Sequence, residues 1–387
     1  MAAFAFAVAM LGTTLPTPLY PLYQRRFGFS ELTITVIFAT YAAGVIAALL
    51  LTGRASDEIG RRPVLLAGLA LSALSAIAFL VADGLPVLLV GRVLSGLSAG
   101  VFTGTATATL VDLLGSGRAG PATLGATLAN MGGLGTGPLL SGILASIALS
   151  IRLPFWVDLG LLIPAVAAIV LIREPVQARG RLRLRPQALS VPPETRATFV
   201  SAALAGFAGF AVLGLSTAVV PAFLGKILGI TSVALVGLIV FSVFAASTAG
   251  QLLLEIVPRA RAMPAGCAGL IGGMALLALG LATSSLALLL TGVLVAGASQ
   301  GLSFRAGLAT VNTATPSDRR AEVASSFFVV CYVAISLPVI GEGVLAEIAG
   351  LRPAGLVFAG VVAAIAAVVL VLLARQHGTA AGAAAGH

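Results

Sequence analysis

Charge is scarce in this sequence. Asp, Glu, Lys and Arg make up 9% of 387 residues, against about a quarter in an ordinary soluble domain. With 59% hydrophobic residues and a mean hydropathy of +1.11, the chain has no polar coat to put around a soluble core. Histidine and cysteine are scarcer still, with two of each. His377 and His387 fall in the terminal tail, and Cys267 and Cys331 sit inside apolar runs, where a free cysteine is a small packing residue. That excludes a disulfide framework, a metal cluster and thiol chemistry. No Gly-rich phosphate loop and no nucleophile–base pair is present. Catalytic, cofactor-binding and metal-ligating residues are therefore not expected, and neither ATP-driven pumping nor hydrolysis has its minimum equipment. The net charge of +9 comes from arginines dispersed over loops, not from one basic, aromatic-studded domain, so a nucleic-acid partner is excluded.

What is there is a succession of apolar runs long enough to cross a bilayer, for which roughly 20 residues suffice. They fall near 2–22, 32–53, 63–82, 86–113, 121–146, 153–172, 198–222, 231–253, 263–283, 286–313, 322–347 and 353–374. The weak ten-residue alternation of a membrane barrel is missing, so the runs predict helices, which satisfy their own backbone in lipid. Pro63, Pro86, Pro121, Pro154 and Pro353 stand at the starts of runs, where a missing N–H costs nothing. The first run has no basic stretch ahead of it and leads into Leu15-Pro16-Thr17-Pro18, which is not a small-residue cleavage site, so a cleavable leader is not expected. With the N-terminus in the cytoplasm, inner loops hold 15 basic residues and outer loops 5. The bias predicts twelve spans in the inner (plasma) membrane with both termini cytoplasmic.

The connection 173–197 carries Arg173, Arg179, Arg181, Arg183 and Arg185 with Pro186, Pro192 and Pro193 and divides the spans six and six. It reads as a basic linker between six-helix bundles at 1–172 and 198–375, followed by a disordered tail at 376–387. An offset near 200 residues brings Pro21 onto Pro221, Val93-Leu94 onto Val293-Leu294, and Pro138 onto Pro338. The same offset sets Gly96 to Gly100 near Gly297 to Gly301. Two parallel halves of this kind suggest a transporter whose halves rock around a mid-membrane site.

Three motifs then carry a family resemblance. Gly53, Asp57, Gly60, Arg61 and Arg62 form G-x-x-x-D-x-x-G-R-R between spans two and three. Arg92 is followed by the Gly-containing stretch to Gly100 in span four. Span five carries Gly133, Gly137, Pro138 and Gly142 in G-x-x-x-G-P-x-x-S-G, with Ser141 in place of one glycine. Together they resemble the major facilitator superfamily over essentially the whole chain, and in spans one and five its twelve-helix drug:proton antiporter branch. The resemblance implies an all-α membrane fold of twelve transmembrane helices in two pseudo-symmetric six-helix bundles. It implies that Asp57 faces the start of span eleven, near Arg320 to Val323, and that Arg61 pairs with Asp112, closing the cytoplasmic side. It also implies proton-driven export. Glu58 stands where relatives often carry a basic residue.

Ionisable groups inside spans are suspected of function by default. Arg92 lies about 9 Å into span four from its outer end at 1.5 Å per residue, and Arg305 about 12 Å from the inner end of span ten. Each has two readings, snorkelling to the surface or facing a cavity. Glu342 in span eleven is the most interior carboxyl and the first candidate for a proton carrier, or equally an outer-leaflet glutamate near water or paired with a neighbouring arginine. Asp158, one turn into span six, is the second. Span one has no acid. Tyr20, Tyr41, Asn130, Gln251, Gln300 and Tyr332 are polar or aromatic wall candidates, or equally helix–helix hydrogen-bonding groups. The expected partners are lipid, protons and a small apolar or amphipathic substrate, handled by a monomer. Import or facilitated passage of a small polar or anionic nutrient stays open beside export, with Arg92 and Arg305 then binding an anion.

Overall fold

The computed structural model describes residues 1–52, 55–115, 118–176, 189–316 and 319–385, the last nine of these by backbone alone. Sixteen α-helices and a few 3-10 turns account for the architecture, and no strand occurs among the described residues. In chain order they are α1 (Ala2–Thr14), α2 (Tyr20–Phe27), α3 (Glu31–Thr52), α4 (Ala55–Glu58), α5 (Arg61–Val81), α6 (Leu85–Leu114), α7 (Ala119–Ala148) and α8 (Leu153–Leu171). There follow α9 (Arg196–Ala218), α10 (Val220–Lys226), α11 (Val233–Leu252), α12 (Arg259–Thr283), α13 (Leu286–Ala314), α14 (Arg320–Ala334), α15 (Leu337–Ala349) and α16 (Leu351–Ala385). Taken with their short breaks, they make 12 helices long and apolar enough to cross a membrane among the described residues.

Hydropathy sees these spans but not the breaks within them. Pro16 and Pro18 lack an N–H and end α1 after Thr14, so the first span runs through a 3-10 turn into α2. Span seven breaks between α9 and α10 just before Pro221, and span eleven between α14 and α15 just before Pro338. Pro138 lies inside α7, which stays continuous from Ala119 to Ala148. The five span-initial prolines all fall in first helical turns. α16 continues past Gln376 to Ala385, where a disordered tail is expected from the sequence. Alanine, the best helix former, dominates that stretch and propagates the helix.

The helices gather into two compact units, Met1–Ala188 with Thr217–Ala245, and Leu189–Ser216 with Ala246–His387. Compactness thus assigns Thr217–Ala245, from the second repeat of the sequence, to the first unit. The cause is a close seam: Gly142 of α7 faces Val233 and Ala234 of α11, and Gly237 of α11 faces the Pro138 carbonyl. Within each unit small residues let backbones touch, as helices in lipid require. A Cβ on Gly100 of α6 would lie 2.6 Å from the Ala48 Cβ and 2.7 Å from the Val45 carbonyl of α3. In the second unit Gly301 of α13 packs on the Ser247 carbonyl of α11 in the same fashion.

Candidate functional site

Ala55 packs into a small apolar cluster with Ala48, Val64 and Val101, which helps to seat the one-turn α4. Gly60 then turns at φ +98°, a left-handed geometry that suits glycine, and α5 begins at Arg61. Its guanidinium reaches three oxygens: Asp57 Oδ1 at 2.7 Å, Asp112 Oδ2 at 3.1 Å and Ser56 Oγ at 2.5 Å. The pairing with Asp112, in the last turn of α6, is thus present. Asp57 is bound by Arg61 as an i,i+4 pair and is itself 63% exposed, so that pair contributes little on its own.

The loop also uses an acid that the sequence does not advertise. Glu174, just beyond α8, accepts from the backbone N–H of Arg61 at 2.8 Å and of Arg62 at 2.9 Å. It caps the N-terminus of α5, where the first N–H groups have no helical acceptor and a carboxylate is favourable. A Cβ on Gly60 would lie 2.9 Å from Glu174 Oε2, so the motif glycine also makes room for the cap. In the sequence Glu174 is one acid beside a run of arginines, and only its place directly after span six hints at this use. Arg62 contributes its backbone here, and Gly53 lies outside the described residues.

Arg92 does not snorkel. It is 2% exposed and turns into the first unit, donating from Nη1 to the Thr13 carbonyl at 2.6 Å and from Nε to the Ile37 carbonyl at 3.4 Å. The guanidinium lies 4.6 Å from the Tyr41 ring centroid and 5.6 Å from that of Phe38. The Thr13 acceptor has a local cause. Thr13 stands in the last turn of α1, where carbonyls run out of helical N–H partners, and Pro16 and Pro18 supply none. Arg305 repeats the device. Its Nη1 donates to the carbonyl of Gln251, in the last turn of α11, at 2.6 Å, and its Nη2 pairs with Glu255 at 2.6 Å. Both intramembrane arginines therefore satisfy a carbonyl in the last turn of a helix, Arg92 where α1 breaks and Arg305 where α11 ends, a role legible only once the helix ends are known.

The two carboxyls are buried differently. Asp158 of α8, 1% exposed, lies where Gly12 of α1 leaves space: a Cβ there would be 2.9 Å from Asp158 Oδ2 and 3.2 Å from Ser72 Oγ of α5. Span one has no acid, and span six brings one to it. Its Oδ1 has no hydrogen-bond partner among the described residues. Glu342 of α15 is 3% exposed, and neither carboxyl oxygen has such a partner. Of the other polar candidates, Gln300 is fully buried and accepts from Ser247 Oγ at 2.6 Å, while its amide nitrogen and that of Gln251 are unpaired among the described residues.

The span-five motif meets two neighbours. Gly133 and Gly137 face Ala7, Met10 and Leu11 of α1, and Thr14 Oγ1 donates across this contact to the Leu134 carbonyl at 2.8 Å. Pro138 and Gly142 face the first half of α11, as described above.

Among solved structures the chain is similar to a bacterial homologue of the human lysosomal transporter Spinster in an inward-facing, occupied conformation, with 16% identity over 97% of this chain and 95% of that one and a TM-score of 0.71. It is similar to a human organic anion transporter (17%, 96% and 97%, TM-score 0.68) and to a POT family transporter in complex with 5-aminolevulinic acid (13%, 97% and 95%, TM-score 0.74). At these identities the likeness establishes the fold. No curated protein sequence matches the chain. The model of the Major Facilitator Superfamily matches residues 2–339. A chain of twelve apolar helices with that match and those neighbours belongs to the major facilitator superfamily and is a multi-pass membrane transporter.

Proposed function

We propose that this transporter is a secondary exporter that exchanges protons for small apolar or amphipathic compounds by alternating access. It works as a monomer in the cell's inner membrane, with both termini cytoplasmic. The halves 1–172 and 198–375, joined by the basic connection 173–197, are the moving parts. The observation that carries the reading is Glu342. A carboxyl 3% exposed with both oxygens unpartnered among the described residues is costly as a fixed anion in a low-dielectric interior. Such a group earns its place by holding a proton while sequestered and releasing it when water reaches it. Asp158, against Gly12, is the second candidate.

The Arg61 cluster supplies the inner latch. Asp57, Arg61, Arg62 and Asp112, with Glu174 behind them, hold the loop as a unit, and Asp57 meets the start of span eleven when the inner side closes. Gly133, Gly137, Pro138 and Gly142 give span five close contacts on two faces, which suits an exchanger that must not leak. The outward direction and the drug:proton branch rest on the resemblance of spans one and five.

The experiment uses purified protein in proteoliposomes with an imposed pH gradient and an amphipathic dye. Gradient-driven flux is expected in the native chain and its loss in Glu342→Gln. Flux that ignores the gradient would overturn the coupling.

A second reading, import or facilitated passage of a small anionic nutrient, is favoured by Arg92, whose buried charge has no ion pair among the described residues. An anion transporter stands among the structural neighbours, but at 17% identity it lends the fold and not its substrate. Deletion distinguishes the readings, since losing an importer lowers uptake and losing an exporter raises accumulation.

A further inference from the structure

The two halves treat one corner differently. In the first unit, Arg61 opens α5, and Asp112, 27 residues beyond Leu85 at the start of α6, neutralises it at 3.1 Å. In the second unit, Arg259 opens α12 in the same way. The position 27 residues beyond Leu286, where α13 starts, is Thr313. The acid has become a hydroxyl. Arg259 is exposed and forms no ion pair or hydrogen bond through its side chain with any described residue.

The corner is also hollow. Arg259, Thr313, Thr310, Thr198 and Leu254 line a cavity of about 350 Å³ wholly within the second unit, at the lower end of the roughly 300–1,000 Å³ typical of ligand pockets. The nearby carboxylate, Glu255, is already held by Arg305 at 2.6 Å and does not compete for Arg259. Thr310 and Thr313 donate back to the Ala306 and Ala309 carbonyls at 2.8 Å. Those carbonyls already belong to the α13 ladder, so each hydroxyl can swing toward an anion at little cost.

We propose that this cavity binds a phosphate group, with the Arg259 guanidinium as the charge and the threonine hydroxyls as further donors. Arginine's fork matches phosphate geometry, and basic pockets between helices at the cytoplasmic face meet anionic headgroups. The phosphate is carried either by an anionic lipid or by a free phosphate compound.

The test titrates full-length, delipidated protein with short-chain phosphatidylglycerol, with phosphatidylcholine as control, and separately with inorganic phosphate, by calorimetry. Binding of phosphatidylglycerol alone identifies a lipid site, and binding of both probes identifies phosphate itself as the determinant. Arg259→Gln should weaken binding at least tenfold. Thr313→Asp should do the same by rebuilding the first unit's ion pair, and should leave the melting midpoint equal to or above that of the native chain, which separates lost binding from lost fold. Absence of binding by both probes overturns the proposal, as does affinity unchanged in both variants.

Discussion

Arg92 shows how much one side chain does when lipid surrounds the protein. It ties α1, α3 and α6 together by two carbonyl contacts and its place over the rings of Tyr41 and Phe38. Hydrogen bonds from charged groups contribute about 1.5–3 kcal/mol each, and a desolvated cation over an aromatic face about 2 kcal/mol. Lysine keeps the charge but is a point donor without a flat face to lay on Tyr41, and cannot reach both carbonyls in one plane. Arg92→Lys is therefore expected to destabilise the first unit by about 2 kcal/mol or more. Unfolding in mixed micelles checks it, and a variant as stable as the native chain would show the carbonyl contacts to be incidental. Arg305 differs because Glu255 neutralises it at 2.6 Å.

At the scale of helices, glycine spacing decides which pairs touch. α6 places Gly96 and Gly100 11 and 15 residues after its start, and α13 places Gly297 and Gly301 at the same positions. Gly100 has no room for a side chain, whereas a Cβ on Gly104, one turn further along α6, meets nothing within 4 Å. Gly100→Leu is expected to abolish the monodisperse species on size-exclusion chromatography. Gly104→Ala should be neutral or stabilising by up to about 1 kcal/mol through helix propensity. Equal damage from both would mean that the glycines act through backbone freedom and not through contact. The repeat was visible in the sequence because glycine and proline are the residues whose placement is set by backbone geometry. Span positions were visible because lipid demands long apolar runs. What stayed hidden depends on which backbone groups lose their partners. The α1 break makes Arg92 a cap, and the α5 start makes Glu174 one, and hydropathy registers neither. The Arg61–Asp112 pair was reached through the family motif, while the burial of Asp158 against Gly12 needed the packing of α1 on α8.

For the molecule as a transporter, the question is which contacts must part in each cycle. Lys226, at the end of α10, pairs with Glu31, at the start of α3, at 2.5 Å, and Gln24 donates to the same Glu31 oxygen at 2.9 Å. Lys226 is 55% exposed, so the pair itself contributes about 0–1 kcal/mol and its removal should be tolerated. The two residues come from opposite sides of the 173–197 connection, however, and alternating access requires the repeats to separate at one face and then the other. Glu31→Cys with Lys226→Cys, bridged by a short reducible bifunctional thiol reagent, should therefore arrest transport, and reduction should restore it. The native cysteines do not interfere, since Cys267 and Cys331 are fully buried. A protease site placed in the connection reports the yield, because only bridged chains stay joined after cleavage. Transport that persists when nearly all chains are bridged would mean that this contact is static, and the moving interface would then have to lie elsewhere.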